Sequence, residues 1–407
     1  CNGVQDEWNL GCNSTRLAGS PGKDRAFGIA SDSSEGVYLA GQTEGSLHGK
    51  RHRGLRDAFL IRYDRTGRVT STAIVGSSKN DAAQAVVVDR FDRIYITGWT
   101  DGALQGETHL GEQDAFLARY DSSLRRGWLR QFGTSGSQSL IDLDVDSTGH
   151  VYAVGKSATA FRGDANTGRN DAWIIKFDPR GNIDWSRLFG TPENDVAASI
   201  EVDGDDAVYV VGRSFGDIAG TNRSADDWDA FIAKIDLDGN RQWIRSFGSD
   251  ARDLGNHVAV SQNRGVFLLG ETWGSVEGSA HRGKSDIFVT KFDKSGNNKW
   301  VHTLGSEARE QPGGMTYDPR RGLLVTGWTF GSLLSTPNAG LRDGFAVKLD
   351  AAGALGNSYP IAHASDDRAR SVTITSENRL FVAGQTTSEP EGRTLSGGDD
   401  AFVVRLD

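Results

Sequence analysis

The sequence predicts an all-β chain: a seven-bladed β-propeller with four antiparallel strands per blade, its last blade completed by the N-terminal strand. Three observations carry this prediction. A motif of the form VYxxGxT recurs seven times, with its glycine at Gly41, Gly98, Gly155, Gly212, Gly270, Gly327 and Gly384, in steps of 57, 57, 57, 58, 57 and 57. A second motif, DAFxxKxD, keeps the same register from Asp57, Asp114, Asp171, Asp229, Asp286, Asp343 and Asp400. The seventh repeat stops early, and a segment near the other end of the chain matches the missing part.

Each unit reads as four short strands in order. The fourth unit is typical: SIEVD (199–203), VYVVG (208–212), AFIAKID (230–236) and QWIRSFG (242–248). Val, Ile, Phe, Tyr and Trp dominate these runs with an alternating pattern, as half-buried strands require. Asp-x-x-Gly turns separate the first strand from the second (Asp146 to Gly149) and the third from the fourth, as in FDPRGN (177–182), IDLDGN (235–240) and FDKSGN (292–297). In such turns the Asp side chain caps the turn and Gly supplies the positive φ. The fourth strand carries W-x4-G at Trp128, Trp185, Trp243 and Trp300, replaced by Ser71 and Asn357 in the first and sixth copies. The sixth copy is also irregular over PGGMTYDPRRG (312–322), which predicts a looser blade.

Units start at 24, 81, 138, 195, 253, 310 and 367, and the last has 41 residues before the chain stops at Asp407. It lacks a fourth strand. Residues 8–23 supply the missing sixteen, and TRLAGSPGKD (15–24) matches SRLFGTPEND (186–195) in its Gly, Pro and Asp. A blade cannot bury both faces without neighbours, so the array must close, and closure removes free sheet edges. Residues 8–407 are therefore expected to form one propeller domain, preceded by a tether over residues 1–7.

The run D-x-A-x-x-I-x-V-D-x-x-G-x-V-Y-V-x-G-x-T, followed by D-A-F-x-x-K-x-D, resembles the bacterial beta-propeller repeat known as the SBBP repeat. The resemblance covers residues 24–407 and the clasp strand. It implies a propeller in a secreted or surface-attached bacterial protein and carries over no catalytic residue.

Composition narrows the function classes. With 18 Phe, 10 Trp and 8 Tyr the chain can build a core, which excludes a disordered polymer. No apolar run is long enough to span a bilayer as a helix. A net charge of −9 argues against a nucleic-acid binder. The two cysteines are Cys1 and Cys12, too few for a disulfide scaffold or a zinc site. Cys1 is a candidate lipidation site, as in a lipoprotein held at the cell envelope or outer membrane; a Cys1–Cys12 disulfide in a secreted chain is the competing reading.

Candidate functional residues are those the repeat does not explain. The position after the strand-two glycine holds Gln42, Trp99, Lys156, Arg213, Glu271, Trp328 and Gln385. It leads into the long connection to the third strand, and long loops commonly carry function. These seven are the candidate binding residues, for a protein partner or a glycan; packing between blades is the competing account. The basic run HGKRHRGLR (48–56) is either a solvated loop or a docking patch for an acidic partner or lipid headgroups. The innermost strands contribute Asp142, Asp144, Glu201 and His257, weak candidates for acid–base catalysis. The acids that open each unit read as ties for loop amides. The acidic clusters Asp203–Asp206 and Asp226–Asp229 lack EF-hand spacing, so no metal or cofactor is expected. The leading expectation is a non-enzymatic, surface-attached binding module. The alternatives are a structural subunit of an envelope or extracellular assembly and a hydrolase or lyase using the channel acids.

Overall fold

A computed structural model describes residues 15–204, 207–221, 227–261, 265–361, 364–389 and 394–406. The tether, Cys1, Cys12, Asp205, Asp206 and Asp226 lie outside the described residues. Among the described residues there is no helix. Seven four-stranded antiparallel sheets make up the fold, each in the order inner, second, third and outer strand. The inner strands are Asp24–Ser31, Asp81–Val88, Gln138–Val145, Asp195–Asp203, Asp253–Ser261, Glu310–Asp318 and Asp367–Ile374. Blade 7 takes its outer strand from Thr15–Ala18, which pairs with Asp400–Arg405 from Thr15 opposite Val404 to Ala18 opposite Ala401. The predicted clasp is therefore present, and it closes the ring.

The core is seven separate apolar layers, one in each seam between neighbouring blades. Along the second strand of blade 1, Tyr38 and Ala40 enter the seam with blade 2, while Val37 and Leu39 enter the seam with blade 7. Both faces of that strand are buried, so it reads as a continuous apolar run (VYLAG) and not as an alternating one. Ala18 of the clasp is fully buried in the seam between blades 7 and 1.

Each inner strand carries a β-bulge after its third residue, for example between Ala26 and Gly28 or between Ala369 and Ser371. The bulge explains the strand-two glycine. A Cβ on Gly41 would lie 1.9 Å from the Arg25 carbonyl oxygen, so no other residue fits opposite the kinked backbone. Blade 6 keeps the same bulge, and its first two strands pair from Glu310–Thr329 to Asp318–Gly322. Its irregular sequence is thus accommodated without loss of pairing.

The fourth-strand tryptophans of blades 2 to 5 lie over the next blade's turn, and those of blades 3 and 4 also latch to it by a hydrogen bond. Trp185 packs against Tyr152 of its own blade at 6.1 Å and donates its indole N–H to the Leu237 carbonyl of blade 4 at 3.0 Å. Trp243 does the same with Tyr209 and the Lys294 carbonyl. The turn glycine of the receiving blade lies flat against the ring: a Cβ on Gly181, Gly239 or Gly296 would sit 3.0–3.1 Å from Trp128, Trp185 or Trp243. These glycines also have φ of 82° to 86°. On the clasp strand, Arg16 takes over, donating to the Gly67 carbonyl of blade 1 at 3.1 Å.

Candidate functional site

Where blade 1 has Ser71 in place of the latch Trp, the receiving turn of blade 2 changes too. It holds Leu124 at φ 60° instead of Gly, and the leucine side chain is buried in the seam. The rim between blades 1 and 2 opens beside this leucine into a groove of about 1030 Å³, while Ser71 lines an adjoining hollow of about 440 Å³. Its walls include Thr72, Ile74 and Leu124, and its charged lining comes from Lys50, Arg51, Arg53 and Arg126. The basic run thus borders a concave surface. His48 is fixed there by Thr72 at 2.9 Å, and His52 stands 3.9 Å from the buried Asp57.

The seven residues after the strand-two glycine form a collar around one mouth of the central channel, on the face of the long loops. Gln42, Glu271, Trp328 and Gln385 are buried, and Trp99, Lys156 and Arg213 are half-buried. Several are tied to a neighbouring blade. Glu271 accepts from Ser285 at 2.9 Å and from Gln311 of blade 6 at 3.3 Å, and pairs with Arg309 at 3.1 Å. Trp328 lies beneath the Arg370 guanidinium at 5.2 Å and donates to Gln311 at 3.2 Å. Gln385 accepts from Arg370 at 2.9 Å. Trp99 has Arg56 over its ring at 5.9 Å. The collar is therefore packed, and only part of it faces open space: Arg213 and Trp328 line the channel.

The inner acids lie deeper in the same channel, which has a volume of about 510 Å³. Each reaches the backbone of the next inner strand. Asp142 accepts from Ser199 Oγ at 2.7 Å and from the Ile200 amide at 3.1 Å, and Asp144 accepts from the Val202 amide at 2.8 Å. Glu201 is bonded to the Val260 backbone and His257 to the Gly313 backbone. The inner strands of adjacent blades carry no ladder between them here, so these side chains act as staples. Burial raises Asp142 to about 6 and Asp144 to about 7, and lifts Glu201 well above the carboxylate range. Burial also lowers His257 to about 4.

The unit-opening acids tie loop amides, as the spacing suggests. Asp24 accepts from the Ser20 amide at 2.6 Å, Asp195 from the Thr191 amide at 2.7 Å, and Gln138 does the same for Thr134. The strand-three acids repeat the device; Asp57 accepts from the Arg53 amide at 2.6 Å. Of the two acidic clusters, Asp203 is engaged by Lys294 at 2.6 Å. Among the described residues no group of three or more His, Cys, Asp or Glu converges in a metal-binding arrangement.

Arg370 was not among the residues singled out from the sequence. It is the bulge residue of blade 7, where the other blades have Phe27, Gln84, Ile141, Ala198, Asn256 and Gly313. An alignment of the seven units reveals it as the single cation at that position.

Known proteins place this geometry in context. Residues 71–104 match the family described as SBBP, beta-propeller repeat. The regulatory protein FlaEY of Caulobacter vibrioides is 22% identical over 384 residues, covering 84% of this chain and 40% of that protein. The chain thus spans well under half the length of that relative. Among solved structures, the WD40 domain of Neurospora crassa Pan2 is similar in fold, with a TM-score of 0.50 at 11% identity over 94% of this chain and 89% of that one. A gluconolactonase from Xanthomonas campestris is 12% identical over 96% of this chain and 90% of that one, with a TM-score of 0.40, too loose a likeness to bear on activity. The chain is a seven-bladed β-propeller, and one stretch of it, residues 71–104, matches the SBBP beta-propeller repeat.

Proposed function

We propose that the protein is a non-enzymatic binding module that docks an acidic segment of a partner protein in the groove between blades 1 and 2. The observation that carries this reading is the missing latch. No indole lies over Leu124, and the cation-lined groove opens beside that leucine, beneath the loop that bears the densest positive charge. Four cations on a chain of net charge −9 are a local reversal of sign, and such a patch steers an acidic partner. A relative that is itself a regulatory protein fits a module acting through partners. A glycan is disfavoured at the collar, since Arg370 covers Trp328 and Arg56 covers Trp99 where a sugar ring would stack. The inner acids have structural work as staples, which accounts for their presence without chemistry.

The test is fluorescence anisotropy of a labelled Glu-rich peptide against the intact protein. Saturable binding that weakens with added salt is expected, with loss in the R51E/R53E/R126E variant. Binding unchanged by that charge reversal, or no binding at low salt, refutes the reading.

A further inference from the structure

At the long-loop mouth of the channel, three cations converge that the groove does not use. Lys156 and Arg213 are adjacent collar residues on blades 3 and 4, paired with the second residues of their inner strands, Ser139 and Val196. Arg370 projects from the bulge of blade 7 at the same end. In a ring of seven, blade 7 lies directly across from the seam between blades 3 and 4, so the cations face one another across the opening. Arg213 and Arg370 both line the channel.

Neighbouring cations at this mouth have carboxylate partners. Arg25 pairs with Asp399 at 3.0 Å, Arg368 with Asp366 at 2.8 Å, and Arg309 with Glu271 at 3.1 Å. Lys156, Arg213 and Arg370 make no ion pair among the described residues. Arg213 rests over Trp228 at 5.8 Å, and Arg370 over Phe27 and Trp328 at 5.4 and 5.2 Å. Burial and the like charges beside them lower all three, against an opposing pull from Glu271 on Arg213 and from Asp366 on Arg370: Arg213 acts on Lys156, Arg252 on Arg213, and Arg368, Arg25 and Arg342 on Arg370, which falls to about 10. Holding unpaired cations together in a half-buried mouth costs stability, and a bound anion removes that cost.

We propose that this mouth is an anion-binding site that takes a multiply charged oxyanion of the phosphate class, held between Lys156 and Arg213 on one wall and Arg370 on the other. Guanidinium forks match the oxygens of such a group, and several cations favour a multivalent anion over a single carboxylate. The aromatic rings beneath the arginines and the Arg370 Nε–Gln385 bond hold the forks in place, and the terminal amino groups remain for the ligand. Asp142, raised by burial only to about 6, stays ionised at neutral pH and repels an anion deeper in the channel, so the ligand stops at the mouth.

Isothermal titration of the intact protein with inorganic phosphate, and separately with pyrophosphate, at low salt tests the site. Saturable one-to-one binding is expected, tighter for pyrophosphate, which can reach both walls; tighter binding of phosphate overturns the placement between the walls. R213Q and R370Q should each weaken binding about tenfold or more, the equivalent of one charge-assisted hydrogen bond. K156Q keeps or raises the melting temperature without phosphate and loses part of the phosphate-induced rise, a pattern that a purely structural lysine does not give. No saturable heat up to roughly 10 mM of either probe, or affinity in R213Q and R370Q unchanged from that of the unaltered protein, overturns the proposal. The R51E/R53E/R126E variant should bind phosphate as the unaltered protein does, so failure of the groove and failure of the mouth are read separately.

Discussion

Building the missing latch into blade 1 is the most direct test of how the groove arises. Two substitutions are needed, S71W to supply the indole and L124G to receive it. Alone, L124G empties a site where the leucine is 8% exposed. Deleting a buried leucine side chain costs about 2–5 kcal/mol, and relief of the left-handed backbone returns about 1–2 kcal/mol, leaving a loss of about 1–3 kcal/mol. Alone, S71W drives an indole against that leucine, and overpacking of this kind costs about 1–3 kcal/mol. Together they recreate the arrangement of Trp185 over Gly239, and the remaining partners are already in place: Tyr38 offers its ring, with Arg62 over it at 5.7 Å. One indole hydrogen bond and one aromatic contact return about 1 kcal/mol each, before burial of the ring is counted. The double variant should therefore be at least about 2 kcal/mol more stable than the sum of the single changes. Urea unfolding of the four proteins in a double-mutant cycle measures this coupling. Additivity within about 0.5 kcal/mol would show that residues 71 and 124 do not share a site and would refute the latch explanation of the groove. The double variant should also lose the Glu-rich peptide, because the indole fills the groove.

Three further outcomes follow from the geometry. Asp144 has a folded-state pKa raised from 3.8 to about 7, so its favourable contribution is complete below pH 4 and is lost as pH rises through 7. D144N should then stabilise the protein at pH 8 relative to pH 5, by about 1–2 kcal/mol once contact with channel water is allowed for, and melting curves at the two pH values check this. G41A should cost about 3 kcal/mol or more, since its Cβ would strike the Arg25 carbonyl, whereas G49A, at φ 75° with open space around it, should cost about 1 kcal/mol; urea midpoints compare them. A18D places a charge in the fully buried clasp seam and should lower the melting temperature by more than 10 °C or prevent closure, with the opened ring visible as a larger hydrodynamic radius.

The blades were readable because each strand repeats its own local pattern. The glycine register, the Asp-x-x-Gly turns and the match of TRLAGSPGKD to SRLFGTPEND are all short-range signals, and together they determine the ring. Features that depend on two blades at once were not readable in the same way. The substitution at Ser71 is visible in its own unit, yet its consequence appears at Leu124 in the next, where the indole that a glycine would receive is absent. The bulge hides similarly: it moves residue 370 into the channel mouth, while strand alternation alone leaves its direction ambiguous. Asp142, Asp144, Glu201 and His257 stand out in sequence as polar groups on inner strands, but only the neighbouring strand shows that they are staples. The collar residues were found at the right end of the blades; their burial follows from contacts with the next blade that a single unit does not contain.

The clasp also sets a timetable for synthesis. Thr15 leaves the ribosome well ahead of Val404, so blade 7 cannot complete its sheet until the chain between them has emerged. At roughly 5–20 residues per second that wait is on the order of 20–80 s. Through that interval the Thr15–Ala18 segment has no partner strand, while the seams from blade 1 through blade 6 can pack in turn as they are made. Ring closure finishes when the first and last strands of the propeller meet, which makes the seam between blades 7 and 1 the one most exposed to premature pairing with another copy and the one a holding chaperone would need to guard.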